Sequence, residues 1–153
     1  MTIAPTLKSY LDRNVRYDLV THDPTQSSLR TAEASHIPGG ALAKGIVLRI
    51  EGGYLLAVLP ASRRIDLADL RKVIGDDVEL ADEPEVASLF EDCAVGAVPP
   101  VGKCYGLDVV LDDSLGVQPE VYLEGGDHQT LVHVSRDQFA RLMEGARHAR
   151  FSA

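Results

Sequence analysis

Apolar and polar positions change their period several times along the chain, and each change marks an element. Residues 7–14 place Leu7, Tyr10 and Leu11 on one helical face, with Thr6 before them as a candidate N-cap. Residues 17–21 have strand character and end at His22-Asp23-Pro24. A second helix is predicted over residues 29–36, stopped by Ile37-Pro38-Gly39-Gly40. Ile46, Val47, Leu48 and Ile50 make residues 44–50 a strand. Glu51-Gly52-Gly53 turns it back into an apolar strand over 54–59, closed by Pro60. This is the clearest hairpin in the sequence. Residues 63–66 read as a short edge strand. Leu67, Leu70, Val73 and Ile74 recur at helical spacing up to Gly75, and residues 78–80 form a short strand. Asp82 caps a helix reaching Phe90, with Glu85 at the capping-box position and Pro84 in the first turn. Beyond a Gly/Pro-rich stretch, strands are predicted over 107–111, 121–123 and 130–134. Asp112-Asp113-Ser114 and Gly125-Gly126 are the turns between them. Ser135 and Gln138 then form a capping box for a helix to about Met143, and residues 145–153 are expected to fray.

Helices and strands are interspersed without a regular βαβ alternation, and two hairpins turn on Gly-Gly. The pattern predicts an α+β fold of barrel-like α/β character: a curved, mixed, mostly antiparallel sheet with flanking helices. A length of 153 residues suits one core, and no repeat or linker divides the chain, so a single domain over 1–153 is expected.

Composition narrows the classes of function. No apolar run has the length of a membrane span and the first residues lack a signal-peptide core, so a cytoplasmic protein without membrane contact is expected. The formal charge is −8, whereas a protein gripping a long stretch of nucleic acid carries a basic stripe. Bases cluster only at Arg63-Arg64, at Arg71-Lys72 and between Arg141 and Arg150. Any nucleic-acid contact is therefore small, and DNA binding is not expected. Cys93 and Cys104 lie eleven residues apart without metal or redox spacing and read as free thiols. There is no HExxH, Walker A or GxGxxG motif, so neither a metal nor a cofactor is expected.

The candidate chemistry gathers around residues 91–105. Gly96 and Gly102 free the backbone on either side of Pro99-Pro100, which stiffen it, and neither proline has an N–H to occupy a neighbouring carbonyl. The stretch is either a punctuation loop or a wall that presents carbonyls to a ligand. Lys44, at the threshold of an apolar strand, either snorkels to solvent or points its ammonium into a cleft to hold a phosphate or carboxylate. Asp127-His128 follows a Gly-Gly turn and His133 lies within a strand. Each histidine either is solvated or exchanges a hydrogen bond or proton with a ligand, and the same holds for His22 and His36 beside Pro-containing breaks. Ser28, of the Ser27-Ser28 pair, has no assigned base, and Cys93 has no histidine adjacent in sequence. No conventional nucleophile is evident.

A lysine opening the first core strand is followed by the Gly96-Ala97-Val98-Pro99-Pro100 GxxxP loop, then a strand ending in Asp-Asp, a Gly-Gly-Asp-His turn, and a last strand with a capped helix. In this order, and over about residues 7–143, the chain resembles the YbaK family, the prolyl-tRNA synthetase-associated editing domain and its free-standing relatives. The resemblance implies a deacylase that hydrolyses mischarged aminoacyl-tRNA carrying a small amino acid such as Ala, Cys, Ser or Pro. It implies that Lys44 is the lysine needed for deacylation, held near the terminal adenosine and its phosphate. Gly96, Ala97, Val98, Pro99, Pro100 and Gly102 would line the aminoacyl pocket, joined by Asp127, Ser28 and either His128 or His133. The ester is already activated, so a site that positions water and steadies an oxyanion suffices, with the tRNA's terminal hydroxyl assisting. Only the 3′ CCA end need enter, which agrees with the acidic charge. The rival readings are a non-catalytic module that binds an aminoacyl-adenosine-like ligand or docks on an aminoacyl-tRNA synthetase, and a small-molecule hydrolase using Cys93.

Overall fold

Among the described residues, eight strands form one mixed sheet in the order β1-β7-β6-β2-β3-β5-β8, with β4 pairing β2 as a side branch. In chain order they are β1 (Asp18–Thr21), β2 (Leu42–Ile50), β3 (Gly53–Pro60), β4 (Glu79–Leu80), β5 (Asp108–Asp112), β6 (Glu120–Glu124), β7 (Thr130–Ser135) and β8 (Arg147–Ala149). The flanking helices are α1 (Pro5–Asn14), α2 (Leu67–Ile74), α3 (Glu83–Leu89) and α4 (Arg136–Leu142). This computed structural model describes residues 3–23, 30–32 and 35–153. The curved mixed sheet with flanking helices is the architecture expected. It is open rather than a closed barrel, with β1 and β8 as its edges.

The β2–β3 hairpin is the centre of the sheet, in register from Ala43↔Pro60 to Ile50↔Gly53. Its second strand is buried almost throughout, from Leu55 to Pro60. Side chains alternate across the pleat. Ala43 and Val47 therefore join the larger core with Leu56, Val98, Val101, Phe90 and α1's Leu7 and Leu11. Leu48 joins Leu55, Ala57, Leu70 and Phe151 on the other face. Leu42 meets Ala32, Ala61 and Leu131 in a third, smaller cluster on the β6 side.

Local signals hold at most boundaries. Asp66 accepts a hydrogen bond from Asp69 N to cap α2, and Asp82 with Glu85 completes the capping box of α3. Helix α1 begins two residues earlier than the periodicity predicts, because Pro5 fits the first helical turn at no hydrogen-bonding cost. Thr6 is therefore inside the helix, and its N–H is taken by Asp92 Oδ2 at 2.8 Å. At α4 only half of the predicted box forms. Ser135 Oγ receives Gln138 N, but the Gln138 side chain accepts from Arg16 N instead. Of the helix predicted over 29–36, residues 30–32 are helical, while residues 29, 33 and 34 lie outside the described residues.

Among the described residues four strand pairings are antiparallel and three are parallel, β6 running alongside β2 and β5 alongside both β3 and β8, so the sheet is mixed and mostly antiparallel as expected. Two expectations need correction. Residues 63–66 contribute one bridge, Ile65↔Ser152, rather than a strand. The C-terminal segment does not fray: β8 pairs with β5, Phe151 is fully buried, and its N–H donates to Asp112 Oδ1 at 3.0 Å.

Candidate functional site

The site begins where two parallel strands part. β2 and β6 are in register only at Leu42↔Tyr122 and Ala43↔Leu123. The next residues on each strand, Lys44 and Glu124, stand at the mouth of the crevice that opens beyond. Further on, β4 takes over the β2 edge at Leu48 and Arg49, and Val47 O receives Ala81 N at 3.0 Å. Outward-directed backbone groups recur every second residue along a strand paired on its other side. Those of Gly45 thus face the crevice with no strand partner.

The Gly/Pro loop closes over this gap. A Cβ on Gly45 would stand 3.1 Å from Leu56 Cδ1, 3.2 Å from Val98 Cγ1 and 3.4 Å from Pro100 Cα, so a side chain there would push its neighbours back by a few tenths of an ångström. Gly45 was not singled out by the sequence reading, although a glycine inside an apolar strand is the signal for such an approach. Ala97, Val98, Pro99 and Pro100 are buried. Gly96 is exposed and left-handed at φ 82°. A cleft of about 350 Å³ lies between Gly45, Val47 and the loop on one side and α3 with Phe90 on the other, with Gly96, Val98 and Cys93 in its wall.

The Gly125-Gly126 turn zips onto the loop from the far side. Ala94 N donates to Gly126 O at 2.7 Å, and Gly126 could not carry a Cβ without meeting Ala4 Cβ at 2.9 Å and Cys93 Sγ at 3.2 Å. Asp127 holds the turn through Gln129 N, Thr130 N and the Thr130 hydroxyl, all at 2.7–2.9 Å. Its carboxylate is thus spent on the turn. His128, left-handed at φ 62°, donates its Nε2–H to Val95 O, and its ring lies 3.5 Å from the Cβ position of Gly96. Of the two histidines left open by the sequence, His128 meets the loop. His133 instead stacks on Tyr122 and hydrogen-bonds Glu120 at 2.8 Å near the β1 edge.

Other candidates are dispersed. Lys44 does not line the apolar cleft: it leaves the sheet on the opposite face from Gly45, half-buried, with Nζ 3.5 Å from Ala61 O. Burial first, and the positive charge of Arg64 second, lower its pKa from 10.5. Lys44 and Arg64 form a small cationic spot, a pairing that 19 intervening residues hide in the sequence. Gly102, expected in the pocket wall, faces its own chain instead, where a Cβ would lie 2.5 Å from Leu107 O. Ser28 lies outside the described residues. Among the described residues no cluster of His, Cys, Asp or Glu is arranged to hold a metal.

The thiols are poor nucleophiles. Burial is the main cause that pushes Cys93 up to about 11 and Cys104 to about 12. Cys93 Sγ lies 3.4 Å from the Tyr105 hydroxyl and 3.6 Å from Asp92 Oδ1, and among the described residues no histidine hydrogen-bonds it.

One residue that the sequence reading passed over is Glu124. It is 2% exposed at the crevice mouth, where a short strand ends at a turn and an exposed carboxylate would be unremarkable. Its pKa is raised from 4.5, chiefly by burial, and the Thr31 hydroxyl hydrogen-bonds it. His128, His22 and Asp127 lie within electrostatic reach of it.

The profile of the aminoacyl-tRNA editing domain family matches residues 22–142. The chain belongs to that family. Among solved structures, a candidate trans-editing enzyme for prolyl tRNA synthetase is 27% identical, with a TM-score of 0.85 over 98% of this chain and 96% of that one. A scaffold protein used for computational grafting of linear epitopes is 26% identical, with a TM-score of 0.84 over 98% of this chain and 96% of that one. The hypothetical protein APE2540 shares the fold at 23% identity, with a TM-score of 0.84 over 97% of this chain and 99% of its own. A search of proteins with curated descriptions finds no match.

Proposed function

We propose that the protein is a trans-acting aminoacyl-tRNA deacylase that releases a mischarged small amino acid, such as Ala, Cys, Ser or Pro, by hydrolysing its ester to tRNA. One observation carries the site assignment: Lys44 stands half-buried at the parting of β2 and β6, beside Arg64, with the Gly/Pro loop packed on the adjacent Gly45. In a chain of net charge −8 that small cationic spot suits a short, terminal contact with a polyanion, namely the CCA end. Lys44 receives the phosphate of the terminal adenosine, and the bound anion offsets both the burial of the ammonium and its repulsion from Arg64. Similarity to a candidate trans-editing enzyme supports action in trans.

In this reading the loop backbone from Gly96 to Pro100 borders the aminoacyl group. Water adds to the ester carbonyl carbon, the bond to the ribose oxygen breaks, and that oxygen leaves with a proton. The vicinal hydroxyl of the tRNA holds the water, so no protein nucleophile is required. The raised thiol pKa of Cys93 weighs against its acting as one. A steric pocket separates small side chains only modestly, which is the circumstance in which a separate hydrolytic check adds fidelity. The test is hydrolysis of a panel of aminoacyl-tRNAs by wild type and Lys44→Ala. Turnover by wild type, reduced about a hundredfold or more in the variant, supports the reading. Binding of aminoacyl-tRNA without release of any amino acid supports a non-catalytic module instead.

A further inference from the structure

Two of the buried polar atoms without a hydrogen-bond partner among the described residues are Glu124 Oε2, at the crevice mouth, and His22 Nε2. Glu124 ends β6 and His22 follows β1, and the two lie within electrostatic reach of each other. The His22 tautomer is fixed, because Nδ1 lies 2.6 Å from Asp23 O and a carbonyl only accepts. In the neutral ring Nε2 is then a lone-pair acceptor. The ionised Glu124 carboxylate is also an acceptor, so neither Oε2 nor Nε2 has a donor facing it. No Lys or Arg forms an ion pair with Glu124 among the described residues, and neighbouring Lys44 turns its ammonium to Ala61 O. A buried acceptor pair without a donor is costly in the empty state and is relieved by a ligand that brings N–H groups and positive charge.

We infer that Glu124 Oε2 and His22 Nε2 bind the α-ammonium group of the aminoacyl ester. This rests on the deacylase reading and adds to it a substrate requirement: an amino acid is recognised by the ammonium that every aminoacyl-tRNA carries, while the loop limits side-chain size. The ammonium donates one hydrogen bond to the carboxylate and one to the imidazole. The ester carbonyl, one carbon away, is thereby held over the strand edge beside Lys44. Glu124 and His22 act here as substrate-binding residues, and neither exchanges a proton in the step.

The experiment takes the aminoacyl-tRNA turned over fastest among those with a primary α-amine and compares it with its α-hydroxyacyl counterpart, made from it by nitrous acid deamination. Each kcat/KM is divided by the spontaneous hydrolysis rate of the same ester, which removes the intrinsic activation by the ammonium. Wild type is expected to favour the aminoacyl form about tenfold or more, the size of one charge-assisted hydrogen bond. Glu124→Gln is expected to lose that preference by slowing on the aminoacyl ester alone. A folding defect would slow both esters, so the ratio separates the two causes. Turnover without a preference in wild type, or a preference kept intact by Glu124→Gln, overturns the assignment and leaves the deacylase reading standing. Absence of turnover on any aminoacyl-tRNA overturns the reading and the assignment together.

Discussion

Gly96 and Gly102 sit in one loop, yet a methyl group added to each meets a different environment. At Gly102 it would lie 2.5 Å from the carbonyl oxygen of Leu107 and 2.6 Å from Val109 Cγ2. Backbone cannot give way there, and Gly102→Ala is expected to destabilise the fold by about 3 kcal/mol in denaturant unfolding. At Gly96 there is room, 3.5 Å to the His128 ring, but φ is 82°. Gly96→Ala is expected to cost about 1–2 kcal/mol from the left-handed backbone and to lower deacylation more than stability. Glu124 gives a prediction in pH. Its folded pKa is raised, so the folded state binds more protons than the unfolded one between pH 4.5 and the folded value. Wild-type stability therefore falls through that window as pH rises. Glu124→Gln, which cannot ionise, is expected to be more stable than wild type at neutral pH, with the gap closing below pH 4.5 in chemical denaturation. A gap that widens on acidification would show that Glu124 is stabilised as a carboxylate in the unliganded protein.

At the level of elements, Phe151 is the residue whose importance is least apparent from its surroundings in sequence. It is fully buried beneath β3 and α2 residues, and Phe151→Ala is expected to cost about 3–5 kcal/mol with an unchanged denaturant m-value. The segment RHARFSA shows no apolar alternation, because β8 is a three-residue edge strand whose Arg147 and His148 are exposed. Its pairing with β5 is a contact across more than thirty residues, which local patterning does not encode. Hairpins and caps were legible for the opposite reason. Gly52-Gly53 and Asp82 to Glu85 act within four residues, so their chemistry determines their geometry. The candidate site divides in the same way. The Gly/Pro loop and Lys44 were readable as motifs, whereas Gly45's contact with Val98 and the burial of Glu124 arise only when β2, β6 and the loop meet in space.

Across the whole molecule, the distribution of charge decides how a polyanion can be held. A net charge of −8 repels the body of a tRNA, and the described site offers Lys44 and Arg64 as its cationic spot. With about two phosphate contacts, the logarithm of the association constant is expected to fall with the logarithm of salt at a slope of about −1.4 for a single-stranded end. A slope several times steeper, in a filter-binding titration, would place much of the tRNA body on the protein surface. The mixed sheet accounts for the place of the candidate site: the change from parallel β2–β6 pairing to antiparallel β2–β4 pairing leaves the edge of β2 without a strand partner at Gly45. The most direct test of the central claim is release of amino acid from Ala-, Cys-, Ser- and Pro-charged tRNA by wild type and Lys44→Ala under identical conditions. The account predicts turnover of at least one of these by wild type and a loss of about a hundredfold or more in the variant. Equal turnover by the two proteins would remove Lys44 from the site, and no turnover by wild type would contradict the deacylase reading itself.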